Sequence, residues 1–327
     1  LQETTGLLIM NKKYELVNYN ASTGLWRIKA LRSFNNIKAG DLGGWIEKEF
    51  NLSHIGDCWI YDNAKVYGDA TVFDNAEVYG DAWVYGDAKV FENAEVYGDA
   101  EVFDKALVYG HARVFENARV FENAMIFNNA TVCGDATVCG NAWVYENAKV
   151  SGNAKVYGDA MVFDRAKVYG DASVYGNAKI GGNARVYGNA LVYGNAVVAE
   201  KHRIQYSRLD CDITDGKNKI RSIHCQTNLG IINNEVYCYK TVNKDLTSLY
   251  DNKFQYKVGE WAVIDDYNGD PIVSCGSGLH FSHLTYWENK GRGKILYCKI
   301  PLEDVIAVQE GKIRAKKAFV IGMCDNK

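Results

Sequence analysis

Ile60-Tyr61-Asp62-Asn63-Ala64-Lys65 opens a run that repeats every six residues, as Val-Tyr-Gly-Asp/Asn-Ala-x, through to Val192-Tyr193-Gly194-Asn195-Ala196-Val197. These 23 consecutive hexads decide the fold. A unit so short cannot bury a core by itself, so each must stack on copies of itself. Within the hexad, Ala64 and Val66 lie two positions apart and leave a strand on the same side, with Lys65 and Tyr67 on the other. Val and Ala therefore face in, while x and Tyr face out. Gly-Asp or Gly-Asn supplies the corner, because these residues tolerate the left-handed backbone of a tight turn.

The pattern is similar to the hexapeptide-repeat family. That resemblance implies a left-handed parallel β-helix with three hexads per triangular turn, in an all-β dominated chain. At three per turn the run makes between seven and eight rungs, roughly 35–40 Å long at the usual strand spacing. The outward residues then sort onto three faces by eighteens. One x column reads Trp59, Glu77, Glu95, Arg113, Thr131, Lys149, Lys167, Arg185, and a second reads Lys65, Trp83, Glu101, Arg119, Thr137, Lys155, Ser173, Leu191. Both are expected to face water.

The third face differs. Its x column holds Leu107, Met125, Trp143 and Met161, and the column beside it holds Tyr109, Phe127, Tyr145 and Phe163. Soluble monomers rarely leave an uncharged strip of this size bare. The expected cover is the chain's own C-terminal domain or a second copy, giving a dimer or trimer, with a host protein as a further possibility.

Residues 10–53 alternate strand formers with turn signals and are expected to cap the first open edge. Leu42-Gly43-Gly44-Trp45-Ile46 reads as a tight turn carrying an aromatic onto the first rung, and His54 as the inward residue of a first, imperfect hexad. Leu1–Ile9 precede Met10-Asn11-Lys12-Lys13, which looks like a natural start, and are given no weight. The repeat domain spans 54–199. Residues 200–238 are expected to cap its far end, and 239–327 to form a small α+β domain. In that domain strands are expected at Gln255–Val258, Lys294–Pro301 and Ala318–Gly322, with a short helix at Leu284–Asn289.

With 2 prolines and 22 tyrosines, the chain has the composition of a β-rich folded protein. The net charge of −3 gives no global attraction for nucleic acid or an anionic membrane. The basic residues of the repeat alternate with acidic corners, so nucleic acid is not expected. No apolar run is long enough to span a bilayer, and nine scattered cysteines without CxxC spacing read as reduced thiols of a cytoplasmic protein.

Two places carry candidate chemistry. Many proteins of the hexapeptide-repeat family are acyltransferases or nucleotidyl-sugar enzymes using a histidine base at a subunit interface. The coil offers His111, in a corner slot, and no interrupting loop to build a pocket around it. The second place is Ser274-Cys275-Gly276-Ser277-Gly278-Leu279-His280-Phe281-Ser282-His283. This block is similar to the ADP-ribosyltransferase signature, which implies nucleotide contacts from Gly276, Gly278, His280 and Phe281. The strand that should bring a catalytic glutamate carries Lys316 and Lys317 instead. His280, His283 and Cys275 have spacing open to zinc, but a fourth ligand is not evident; no metal or cofactor is expected. The layout as a whole resembles uncharacterised bacteriophage and bacterial proteins labelled as hexapeptide-repeat or transferase proteins. The reading is a non-enzymatic scaffold that binds a host component. An intersubunit acyltransferase and an ADP-ribosyltransferase-like nucleotide-binding module are the alternatives.

Overall fold

The structure is a computed structural model, and it describes residues 12–199, 203–205, 208–209, 223, 227, 229–251, 253–269, 277–287, 293–309 and 311–324. The chain divides into two compact units, Leu1–Asn177 and Ala178–Lys327. The first is a parallel β-solenoid behind an antiparallel hairpin. The second holds further solenoid rungs and a small antiparallel β domain.

In the first unit each hexad gives a two-residue strand, x then Val, and each strand pairs in parallel with the strand eighteen residues on. Leu107 pairs with Met125, Arg113 with Thr131 and Arg119 with Thr137. The three ladders of this unit hold seven, seven and six such strands between Trp59 and Val174. Every Val and Ala of the repeat, from Ala64 to Val174, is fully buried. Burying each Val side chain contributes about 1.5–3 kcal/mol. The inward and outward assignment of the hexad holds throughout.

The Gly slot of each corner lies in the left-handed region, with φ +67° at Gly68 and +77° at Gly110. Where Gly is replaced, the substitute is Asp, Glu or Asn, again with positive φ, as at Asp62, Glu116 and Asn128. The carboxylates of Asp62, Asp74, Asp104, Glu116, Glu122 and Glu146 offset the strain by reaching the next rung. Glu122 Oε2 accepts the Gly140 N–H at 2.6 Å, and Glu146 Oε2 the Asp164 N–H at 2.8 Å. The following Asn/Asp slot builds its own ladder, with Asn141 donating to Asp159 at 2.9 Å.

The residue after Val forms a column of stacked rings at each corner. On the third face Phe73, Phe91, Tyr109, Phe127, Tyr145 and Phe163 follow one another at 4.8–5.4 Å between centroids. Cys133 and Cys139 stand in for a ring in the two other columns; they belong to different ladders and do not pair.

The N-terminal cap follows expectation in outline, with corrections in detail. Strands Tyr14–Asn20, Leu25–Ala30 and Leu42–Ile46 form an antiparallel meander. Leu42–Ile46 is a strand rather than a turn, and it starts the solenoid by pairing in parallel with Lys65–Val66. Its glycines allow close approach: a Cβ on Gly43 would lie 2.5 Å from Ile60 O, and one on Gly44 2.6 Å from Ala64 O. The inward slot opposite Val72 belongs to Leu52 and not to His54, because the chain between Leu52 and Trp59 carries two extra residues. Trp59, expected on a solvated face, is 1% exposed beneath Tyr14 and Phe34.

In the second unit the coil outlasts its sequence motif. Arg203–Gln205 pairs in parallel with Arg185–Tyr187, and Arg208–Leu209 with Leu191–Val192. The rungs therefore exceed the seven to eight expected, and part of 200–238 is coil rather than cap. The remainder is an antiparallel sheet in the order Trp261–Val263, Lys317–Cys324, Lys294–Pro301, Glu235–Val242, Leu279–Ser282, Lys312–Ala315, Val305–Gln309. Glu235–Val242 runs unbroken across the expected boundary at 238/239. Among the described residues the domain is mainly antiparallel sheet, with the four-residue helix Leu284–Trp287 and helical residues at Ile223 and Thr227. The expected strand at Gln255–Val258 is reduced to a single bridge from Thr247 to Gln255. Its core packs Val236, Cys238, Phe281, Leu296 and Val320 among others.

Candidate functional site

The apolar strip is assembled as the eighteen-residue sorting requires. Leu107, Met125, Trp143 and Met161 are direct neighbours along one ladder. Leu107, Met125 and Met161 are half-buried, and Trp143 is 38% exposed with its ring edge-on to Phe127 at 6.3 Å. Beside them the rings of Tyr109, Phe127, Tyr145 and Phe163 form the stacked column. Lys89 precedes the strip on the same ladder. The result is a flat, uncharged surface held by a backbone ladder that leaves it little freedom to adapt.

His111 sits where the sequence placed it, exposed at a corner, with its backbone N–H bonded to Asn128 O at 2.6 Å. Among the described residues no hydrogen bond orients its imidazole, and an acid–base role needs such a partner.

In the antiparallel domain Leu279–Ser282 is an interior strand of the sheet. Phe281 is fully buried in the core, which removes it from any nucleotide. Gly278 lies against Arg314, whose Cγ would be 2.7 Å from an added Cβ. Gly276 and Cys275 lie outside the described residues. Among the described residues no cluster of three or more His, Cys, Asp or Glu could hold a metal ion.

His280 does gather an unusual environment. Its Nε2 is buried without a hydrogen-bond partner. Burial first, then Lys240, Lys312 and Arg314, push the imidazole down to about 4. Lys240, 5% exposed, donates to His280 O at 3.1 Å and packs over the rings of Tyr256 and Phe281. Burial holds its amine down to about 8, partly opposed by Cys298 and Cys238. A buried strand lysine carries no periodic signal, and sequence reasoning passed over it.

A second grouping missed in the sequence lies under the N-terminal cap. Lys13, fully buried, donates from Nζ to Cys58 O at 2.8 Å, Cys58 Sγ at 3.1 Å and Gly56 O at 3.3 Å. His54 accepts the Lys13 backbone N–H at Nδ1 and stacks on Tyr14 at 4.3 Å, the hydrogen-bonded cap role its position suggested.

Comparison with known proteins bears on the second unit. Residues 178–192 and 184–200 match the YdcK beta solenoid repeat, and residues 216–287 match a family of unknown function, DUF5758. The chain is 45% identical over 42 residues to the Escherichia coli K12 protein named "Uncharacterized acetyltransferase YdcK". That stretch covers 13% of this chain and 13% of that protein. The likeness agrees with the β-solenoid. No helix of the described residues is long and apolar enough to cross a membrane.

Proposed function

We propose that this protein is a scaffold in which the β-solenoid associates with a second copy of itself through the Leu107, Met125, Trp143 and Met161 strip and carries the antiparallel domain as a recognition module. The observation that carries the reading is the register of that strip: four uncharged large side chains on successive rungs, flanked by a continuous ring stack. A rigid flat face fits another rigid flat face, and a second copy supplies one at matching concentration. On this reading the partner of the recognition module is a host component. Light scattering of the full chain tests the association: a mass of two or three chains is expected, and a single chain across micromolar concentrations would overturn it.

The match to a protein named an acetyltransferase favours a second reading, acetyl transfer at a site between copies. His111, at an open corner, is the base that reading would use. Acetyl-CoA binding only the folded protein would raise the melting temperature. An unchanged melting temperature at high acetyl-CoA leaves the scaffold reading.

A further inference from the structure

We propose that Lys13 and Cys58 form an oxidant-driven covalent cross-link that fastens the N-terminal cap to the first coil of the solenoid. The two side chains are 45 residues apart in sequence and both 0% exposed. The Lys13 amine spends its three donors on Cys58 O, Gly56 O and Cys58 Sγ, so nitrogen and sulfur are held 3.1 Å apart. The Phe34 ring covers the amine at 5.2 Å. Cys58 Sγ also lies against the carbonyls of Ser53, Ile55 and Val72 at 3.5–3.8 Å, so among the described residues the amine is the nucleophile beside the sulfur. Burial lowers the Lys13 amine and raises the Cys58 thiol, while each opposes the effect on the other.

A buried thiol alone is inert. Here the Lys13 amine opposes that rise and takes the thiol proton as sulfur attacks, becoming the ammonium that returns it. The oxidant class is a peroxide. The Cys58 thiolate attacks one peroxide oxygen, the O–O bond breaks, and the departing hydroxide takes a proton from the Lys13 ammonium to leave as water. Cys58 is then a sulfenic acid and Lys13 a neutral amine. The amine lone pair attacks sulfur, the S–O bond breaks, and the hydroxide takes the amine's proton as a second water. One thiol, one amine and one hydrogen peroxide thus give an N–S bond and two waters, the condensation that sulfenic acids undergo with nitrogen. A thiol reductant reverses it, attacking sulfur and returning the amine.

The experiment treats the full chain with hydrogen peroxide, digests it and maps the peptides by mass. A Lys13 peptide joined to the Cys58 peptide, lighter by two hydrogens than their sum and released by dithiothreitol, is expected. Lys13→Met should abolish the joined species while Cys133 and Cys139 react as before. Separate peptides in the wild type, with oxidation confined to Cys133, Cys139 or an uncombined Cys58, would overturn the proposal without reference to any variant's folding.

Discussion

Glu116 and Gly134 stand eighteen residues and one rung apart, and Glu116 Oε2 accepts the Gly134 backbone N–H at 2.6 Å. Glu116 itself is at φ +60°, a conformation that strains a residue with a side chain. The hydrogen bond and the strain oppose one another. Glu116→Ala should lower stability by about 1–2 kcal/mol, since it keeps the strain and loses the bond. Glu116→Gly, which loses both, should be close to neutral. Urea midpoints followed by circular dichroism check the order; an alanine variant as stable as the glycine variant would contradict it.

Corner glycines differ in how closely the next rung approaches. A Cβ on Gly110 would lie 2.6 Å from Asn128 N, whereas one on Gly68 would lie 3.2 Å from Gly86 N. Gly68→Ala should cost about 1–2 kcal/mol for the left-handed backbone alone. Gly110→Ala should cost clearly more, because backbone atoms of the neighbouring rung must also move. Equal midpoints for the two variants would contradict the difference in spacing.

The antiparallel domain should be sensitive to acid through His280. Its imidazole is held down to about 4 in the fold, while in an unfolded chain it titrates near about 6.5. Between those values the unfolded chain binds more protons, so stability falls as pH drops through the window. Lys240 acts with the same sign at higher pH, from about 8 folded to about 10.4 unfolded, so stability rises across that range. His280→Gln should flatten the acid limb and Lys240→Met the alkaline one. A wild-type urea midpoint unchanged between pH 6.5 and 4 would contradict the burial of His280.

The period of the hexad made most of this fold legible. A strict repeat reports both the strand and its neighbour eighteen residues on, which is why Leu107, Met125, Trp143 and Met161 could be placed side by side before any geometry was known. Irregular segments report less. The two extra residues before Trp59 moved Leu52 into the slot expected for His54, and nothing in the composition marks such an insertion. Arg203–Gln205 continues the coil because backbone pairing does not require the motif. The Lys13–Cys58 contact and the buried Lys240 depend on tertiary closure between distant segments, a relation that spacing along the chain does not carry. Phe281 sits in a block that reads like a ligand-binding turn, yet hydrophobic burial claims it for the core.

Trp143, between Met125 and Met161 and 38% exposed, gives the most direct test of the self-association account. The measurement is the solution mass of the full chain and of Trp143→Glu by light scattering, with the melting temperature recorded alongside. The account predicts a wild-type mass of two or three times 36.5 kDa, and a variant that falls to a single chain with unchanged circular dichroism and a lower melting temperature from the lost assembly. A variant of unchanged mass and unchanged stability would contradict it.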